Sequence, residues 1–470
     1  MPTYPPRQIA AYGTVFFFLI FVFFYGLADT LSPLSSAGRM SKGMFKPPQE
    51  STLFPDFSHY EPLNTLKSEE FPLDDPKRRV IIVGDIHGMM KPLRKLLDNL
   101  NYNPSDDVLI HAGDIVTKGT HKGSMAILDF MTANNVTGVR GNHDQKVIEW
   151  YSWLQWIREK PGGRQWLENL EKRWEKACAD DKGVEVDSWL QTNSASTEDK
   201  KWFRQIPKGW ILFSDHYNVA RELTADHLKY LSHLPLRIYV PSAHTFIVHA
   251  GLLPSNPAYP MDNTENQPLA RVPAFPKRPA NGPVQKSDAE TSGNKETIDG
   301  LRYLQEISLL TEIPQNADPW VLLNMRNVVG DTVSRDTDEG RPWSKIWKQN
   351  MLSCVGYQKT RDVNDTADNN HVSTSKKKIE LPCYPSTTIY GHAASRGLDV
   401  KRWSIGLDSG CVKGERLTAL VLGGPANKHK RRLKHGGDED DISAESSKEG
   451  DGWIPYSDNR KGRIVSVSCK

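Results

Sequence analysis

The chain's 470 residues could hold two or three domains, and at 38% apolar and 25% charged they leave enough for a core once polar stretches are set aside. A net charge of +3 gives no basic bias toward nucleic acid, so no nucleic-acid binding is expected. Cysteine usage is sparse, at five residues.

In chain order, a short tail of residues 1–8 precedes Ile9–Ala28, a run of 20 residues without a charge, centred on Phe16 to Phe24. That length spans a hydrocarbon core as a helix. We read it as an uncleaved transmembrane signal anchor. A cleaved signal peptide is the alternative, because Gly26 and Ala28 are small residues at a plausible cleavage position. A buried soluble helix fits poorly with so many Phe so near the terminus. Arg7 before the run and Arg39, Lys42 and Lys46 after it do not decide the orientation. The short tail favours a cytosolic amino terminus and a lumenal remainder. Residues 29–76, rich in Pro, Ser and charge, read as a stalk between membrane and enzyme, with room for part of it to pack on the domain.

Residues 77–470 read as one large catalytic domain with insertions. The apolar run Val80-Ile81-Ile82-Val83 stops at Gly84-Asp85-Ile86-His87-Gly88. Val108-Leu109-Ile110 leads to Gly113-Asp114-Ile115-Val116-Thr117-Lys118-Gly119, and Val136 and Val139 lead to Gly141-Asn142-His143-Asp144. Two later runs, Phe246-Ile247-Val248 and Thr388-Ile389-Tyr390, end at His249 and His392. Strands and helices at this spacing predict an α/β fold whose site lies at the carboxyl ends of strands. Asp, His, Asp, Asn, His and His from five strand ends suit divalent metals.

Between these motifs, Trp150, Trp153, Trp156, Trp166 and Trp174 occupy a helical stretch interrupted by Pro161-Gly162-Gly163. Their spacing predicts a helix packed on the core rather than a base-stacking platform. Residues 263–297, 358–380 and 425–458 read as disordered insertions, the last holding a basic run before Asp438-Glu439-Asp440-Asp441. Cys354 and Cys383 flank the second insertion and form either a disulfide or two buried thiols. Of the sequons at Asn135 and Asn364, the latter is the better acceptor. Four residues separate Cys411 from Arg416, whereas a thiolate phosphatase loop needs five.

This order of motifs resembles the calcineurin-like metallophosphoesterase superfamily over about residues 79–470. The resemblance implies a β-sheet sandwich flanked by helices and a site for two divalent metals, zinc or manganese, with cobalt or iron also compatible. It implies that Asp85, His87 and Asp114 hold the first metal. Asp114 would bridge to a second, held also by Asn142, His249 and His392. Two such ions acidify a bridging water and neutralise phosphate oxygens. Because Asn and the imidazoles carry no charge, the centre stays net positive and accepts an anion. His143 matches the family's general acid, and Arg140 and Lys118 are the candidate phosphate clamps.

Thr117-Lys118 stands where the family's protein Ser/Thr phosphatases carry Asp-Arg. The Asp that supports their catalytic His is therefore missing, and no replacement is evident beyond the adjacent Asp144. Val-Thr-Lys-Gly resembles the ApaH-like phosphatases. So does Gly406-Leu407-Asp408-Ser409-Gly410-Cys411-Val412, which precedes a final strand near Ile464–Val467. Within that branch the amino-terminal anchor points toward the fungal vacuolar zinc-dependent endopolyphosphatases. That implies a metal-activated hydroxide attacking inorganic polyphosphate in a vacuolar lumen. The rivals are a dinucleoside-polyphosphate hydrolase, a Ser/Thr protein phosphatase and a catalytically dead membrane scaffold. His111, His216 and His244 have no motif around them and read as packed or solvated.

Overall fold

The computed structural model describes residues 54–181, 183–193, 197–275, 298–357, 379–424 and 452–470. They belong to a single compact unit, Leu53–Lys470. The expected anchor Ile9–Ala28, residues 276–297 of the first insertion, 358–378 of the second, 425–451 of the third and the Asn364 sequon lie outside the described residues. Among the described residues no helix is long and apolar enough to cross a membrane.

The strands are β1 (Asn64–Thr65), β2 (Arg79–Val83), β3 (Asp107–His111), β4 (Thr137–Gly138), β5 (Arg237–Val240) and β6 (Thr245–Val248). They continue with β7 (Asn327–Val329), β8 (Thr332–Ser334), β9 (Arg341–Pro342), β10 (Thr387–Tyr390), β11 (Asp399–Lys401), β12 (Ser404–Gly406), β13 (Arg416–Gly423), β14 (Trp453–Tyr456) and β15 (Arg460–Ser468). Two six-stranded sheets form, in the orders β14-β15-β13-β2-β3-β4 and β1-β5-β6-β10-β12-β11; a small sheet, β8-β7-β9, stands apart. Both large sheets are mixed. β2, β3 and β4 run parallel, as do β6, β10 and β12, while β13 pairs antiparallel with β2.

Alternation along the strands explains the layering. Successive side chains of a strand point to opposite faces. Val80 and Ile82 enter a cluster with Ile238, Ile247, Ile389 and Ile405, so the sheets pack face to face. Ile81 and Val83 join the opposite cluster, with helices Met90–Asn99, His121–Ala133 and Asn142–Glu159. The other sheet turns Tyr239, Phe246 and Val248 outward against Trp343 and Trp347. The result is an α/β fold of two mixed sheets flanked by helices. Trp150, Trp153 and Trp166 are buried in the helical layer, as their spacing predicts.

Of the stretch read as a stalk, residues 54–76 pack on the domain: Leu66 and Phe71 are buried between the sheets, and β1 pairs with β5. Two expectations need correction. The described start of the first insertion is packed, with Leu269 buried and Gln267 donating to the carbonyls of Asn256 and Tyr259. Trp453–Tyr456, assigned to a disordered insertion, is strand β14 on β15. Its period-2 pattern buries Ile454 and Tyr456 and exposes Trp453 and Pro455.

Both flanking half-cystines of the second insertion are joined, Cys354 to Cys383. A second disulfide, Cys411–Cys469, was not anticipated, because 58 residues separate its partners. Cys178 is free.

Candidate metal centre

Each ligand motif occupies the turn that follows a strand, as the sequence predicts. Glycine lets these turns approach one another. A Cβ on Gly141 would overlap Asp114 Oδ1, and one on Gly391 would overlap Asp85 Oδ1. His87, Asp114 and His392 are held at φ 48°, 50° and 67°. Non-glycine residues adopt that left-handed region uncommonly.

The turns bring Asp85, His87 and Asp114 together in one group and Asp114, His249 and His392 in another. In each group one ligand atom per residue lies within 4.8 Å of the others. Asp114 is common to both groups. Asn142 completes the set, its Oδ1 lying 3.1 Å from His249 Nε2. His249 Nε2 is also 3.4 Å from Asp114 Oδ2, and His87 Nε2 is 3.9 and 3.8 Å from carboxylate oxygens of Asp85 and Asp114.

The donor set fits two divalent ions for a further reason. Each imidazole directs one ring nitrogen at a backbone carbonyl: His249 Nδ1 at Ala112 O (2.8 Å), His392 Nε2 at Asn324 O (3.2 Å) and His87 Nδ1 at Val116 O (3.4 Å). A carbonyl can only accept, so the proton goes there and the other nitrogen faces the cluster with a lone pair. Metal-ligating His characteristically show this arrangement.

Electrostatics agree. Burial pushes the Asp85 carboxyl well above the usual range, and Asp408 and Asp114 reinforce the shift. Burial would raise Asp114 too, but His249, His143 and His87 outweigh it and hold Asp114 well below the usual range. Burial lowers His87, and lowers His392 far below its ordinary value with His249 and Arg326 adding to it. In His249 the pull of Asp114 overcomes burial and raises it. The imidazoles that burial keeps neutral are in the form that binds metal.

His143, at the start of helix Asn142–Glu159, donates its backbone N–H to Asp114 Oδ1 (2.8 Å). Burial lowers its imidazole to about 3 against the opposing pull of Asp114. An anionic phosphate alongside would favour the protonated ring again. Asp144 is not its orienter. That carboxylate accepts from the backbone of Gly141 (2.9 Å) and Ile115 (3.0 Å), pinning the helix start to the second motif.

The two expected phosphate clamps differ. Lys118 is exposed, at φ 61°, and its charge acts on His87 and His143. Arg140 is fully buried; its guanidinium donates to His59 O, to Gln145 Oε1 (2.8 Å) and to Ser232 O (2.7 Å). The phosphate role assigned to Arg140 is therefore corrected to a structural tie between the helical layer and residue 59.

Three residues near the centre escaped the sequence reading. Asp408, buried beside Asp85, stood in a motif but without a role. Arg326 donates to His392 O (3.2 Å), and its charge is felt by Asp114 and Asp408. His216 meets His143. Neither Arg326 nor His216 lies in a recognisable motif, so only tertiary structure could find them.

Residues 78–239 match the family described as calcineurin-like phosphoesterase. The matched stretch holds Asp85, His87, Asp114 and Asn142, while His249 and His392 lie beyond it. A symmetrical bis(5'-nucleosyl)-tetraphosphatase of Haemophilus ducreyi is 46% identical over 69 residues, 14% of this chain and 25% of that protein. Serine/threonine-protein phosphatase 1 of Salmonella typhimurium is 32% identical over 93 residues, 20% of this chain and 42% of that one. The matched stretch thus spans well under two thirds of these relatives. A solved serine/threonine phosphatase from Saccharomyces cerevisiae covers 87% of this chain and 84% of its own at 10% identity and a TM-score of 0.31.

Proposed function

We propose that the chain is a two-metal phosphohydrolase of phosphoanhydride bonds, with inorganic polyphosphate as its substrate. The observation that carries the hydrolase reading is the pair of buried ligand groups sharing Asp114. Two divalent ions held there would supply Lewis-acid polarisation of the phosphoryl group and an activated water. The chain's own residues do the rest. Lys118, whose charge acts on His87 and His143, and Arg326, which donates to His392 O, attract and align phosphate oxygens. His143 protonates the departing oxygen.

A cation beside each ligand group suits a polyanion with several phosphates, and this favours polyphosphate. The second reading, a dinucleoside-polyphosphate hydrolase, is favoured by the likeness to the Haemophilus ducreyi protein. A protein phosphatase reading has the Salmonella likeness in its favour, but Thr117-Lys118 replaces the Asp-Arg pair. The two disulfides suit an oxidising lumen, in keeping with a lumenal, membrane-anchored enzyme of the vacuole.

The test is hydrolysis of long-chain polyphosphate, diadenosine tetraphosphate and a phosphopeptide by the zinc- or manganese-loaded protein. Preferential shortening of polyphosphate is the expected result. Preference for the dinucleotide would move the function to the second reading, and silence on all three would revive a non-catalytic scaffold.

A further inference from the structure

His143 has a partner of an unexpected kind. Its Nδ1 lies 2.8 Å from His216 Nε2, with the ring centroids 4.9 Å apart and the planes 11° from parallel. So short a nitrogen–nitrogen approach at that centroid separation means that the rings lie in nearly one plane and meet edge to edge. That is a hydrogen bond, not a face-to-face stack. Thr117 Oγ1 stands 3.2 Å from the same Nδ1 and offers a second, longer contact.

His216 is presented by a built element. It sits in the first turn of helix Asp215–Glu222, whose Tyr217, Val219 and Ala220 are buried. Tyr217 Oη donates to Glu171 Oε1 (2.5 Å), so the helix is fixed to the layer beneath it. His216 itself is half-buried and faces the half-buried His143.

We propose that His216 is the positioning residue of His143, doing from a separate helix what the missing Asp of the second motif would have done. The inference rests on the reading of His143 as the general acid. In the acid form, His143 carries protons on both nitrogens; Nδ1–H donates to the bare Nε2 of His216, whose own proton is on Nδ1. The ring is then locked with Nε2–H toward the leaving oxygen. As the phosphorus–oxygen bond breaks, its electron pair stays on that oxygen, which takes the Nε2 proton. His143 is left neutral with its Nδ1–H still bonded to His216. Unlike a carboxylate, a neutral partner places no negative charge beside the incoming phosphates, which suits a polyanionic substrate.

The test is the dependence of rate on leaving group, read within each variant so that a partly folded sample does not matter. On aryl phosphates graded from dinitrophenyl to phenyl, His216→Ala should lose about 100-fold in kcat on phenyl phosphate. It should change only a few-fold on the dinitrophenyl ester, which departs without a proton. KM should move little. His216→Gln, whose side-chain oxygen can accept from Nδ1–H, should recover at least about tenfold of the loss. Equal losses across the series, or none, would overturn the positioning role. His143→Asn is the control. If it matches the wild type on phenyl phosphate, the acid assignment fails, and this inference with it.

Discussion

Arg140 and Lys118 both sit within a few residues of a ligand motif, and the sequence treats them alike. Burial separates them. Arg140 is enclosed, with both terminal nitrogens hydrogen-bonded, so Arg140→Ala should lower stability by about 2–4 kcal/mol through orphaned acceptors. Chemical denaturation would measure this, and an unchanged midpoint would contradict the structural role. Lys118→Ala should instead leave the midpoint alone and raise KM for polyphosphate several-fold, because an exposed lysine contributes a point charge and little packing. The ligands were legible because each follows a Gly-punctuated strand. Arg326 and His216 were not, because neither a strand end nor a motif announces them; their positions follow from helices and turns that only the packed fold brings to the centre.

The strands that carry the ligands were readable from their apolar runs, and Ile464–Val467 was readable as the last strand, though β15 is longer, Arg460–Ser468. β14 was missed because its two inward residues stand beside a proline and a long charged segment, which mask a four-residue alternation. The second disulfide was missed for a related reason: its cysteines are adjacent only after β13 and β15 pair. That cross-link ties the turn following Asp408 to the end of β15. Cys469→Ser should cost about 2–4 kcal/mol, as expected for a closed loop of this size. A thermal melt of the variant beside the wild type would detect it; coincident melts would show that the bond holds nothing in place.

Across the whole molecule, two sheets meet face to face and bring turns more than 300 residues apart in sequence into contact, since His392 N–H donates to Asp85 Oδ1 (3.0 Å). The fold class and the clustering of Asp85, His87, Asp114, His249 and His392 could be written down from the sequence because the motifs stand in a fixed order. How residues 54–76 seal the space between the sheets could not, since a Pro-rich stretch carries no period. The central claim is that Asp114 is shared by two ions. Its most direct test is metal content by elemental analysis after zinc loading and removal of free ions, on the wild type and Asp114→Asn, with polyphosphate hydrolysis followed in parallel. The account predicts two ions per wild-type chain, at most one in the variant, and a fall in turnover of about 1,000-fold or more. Two ions in Asp114→Asn with near-normal turnover would contradict it.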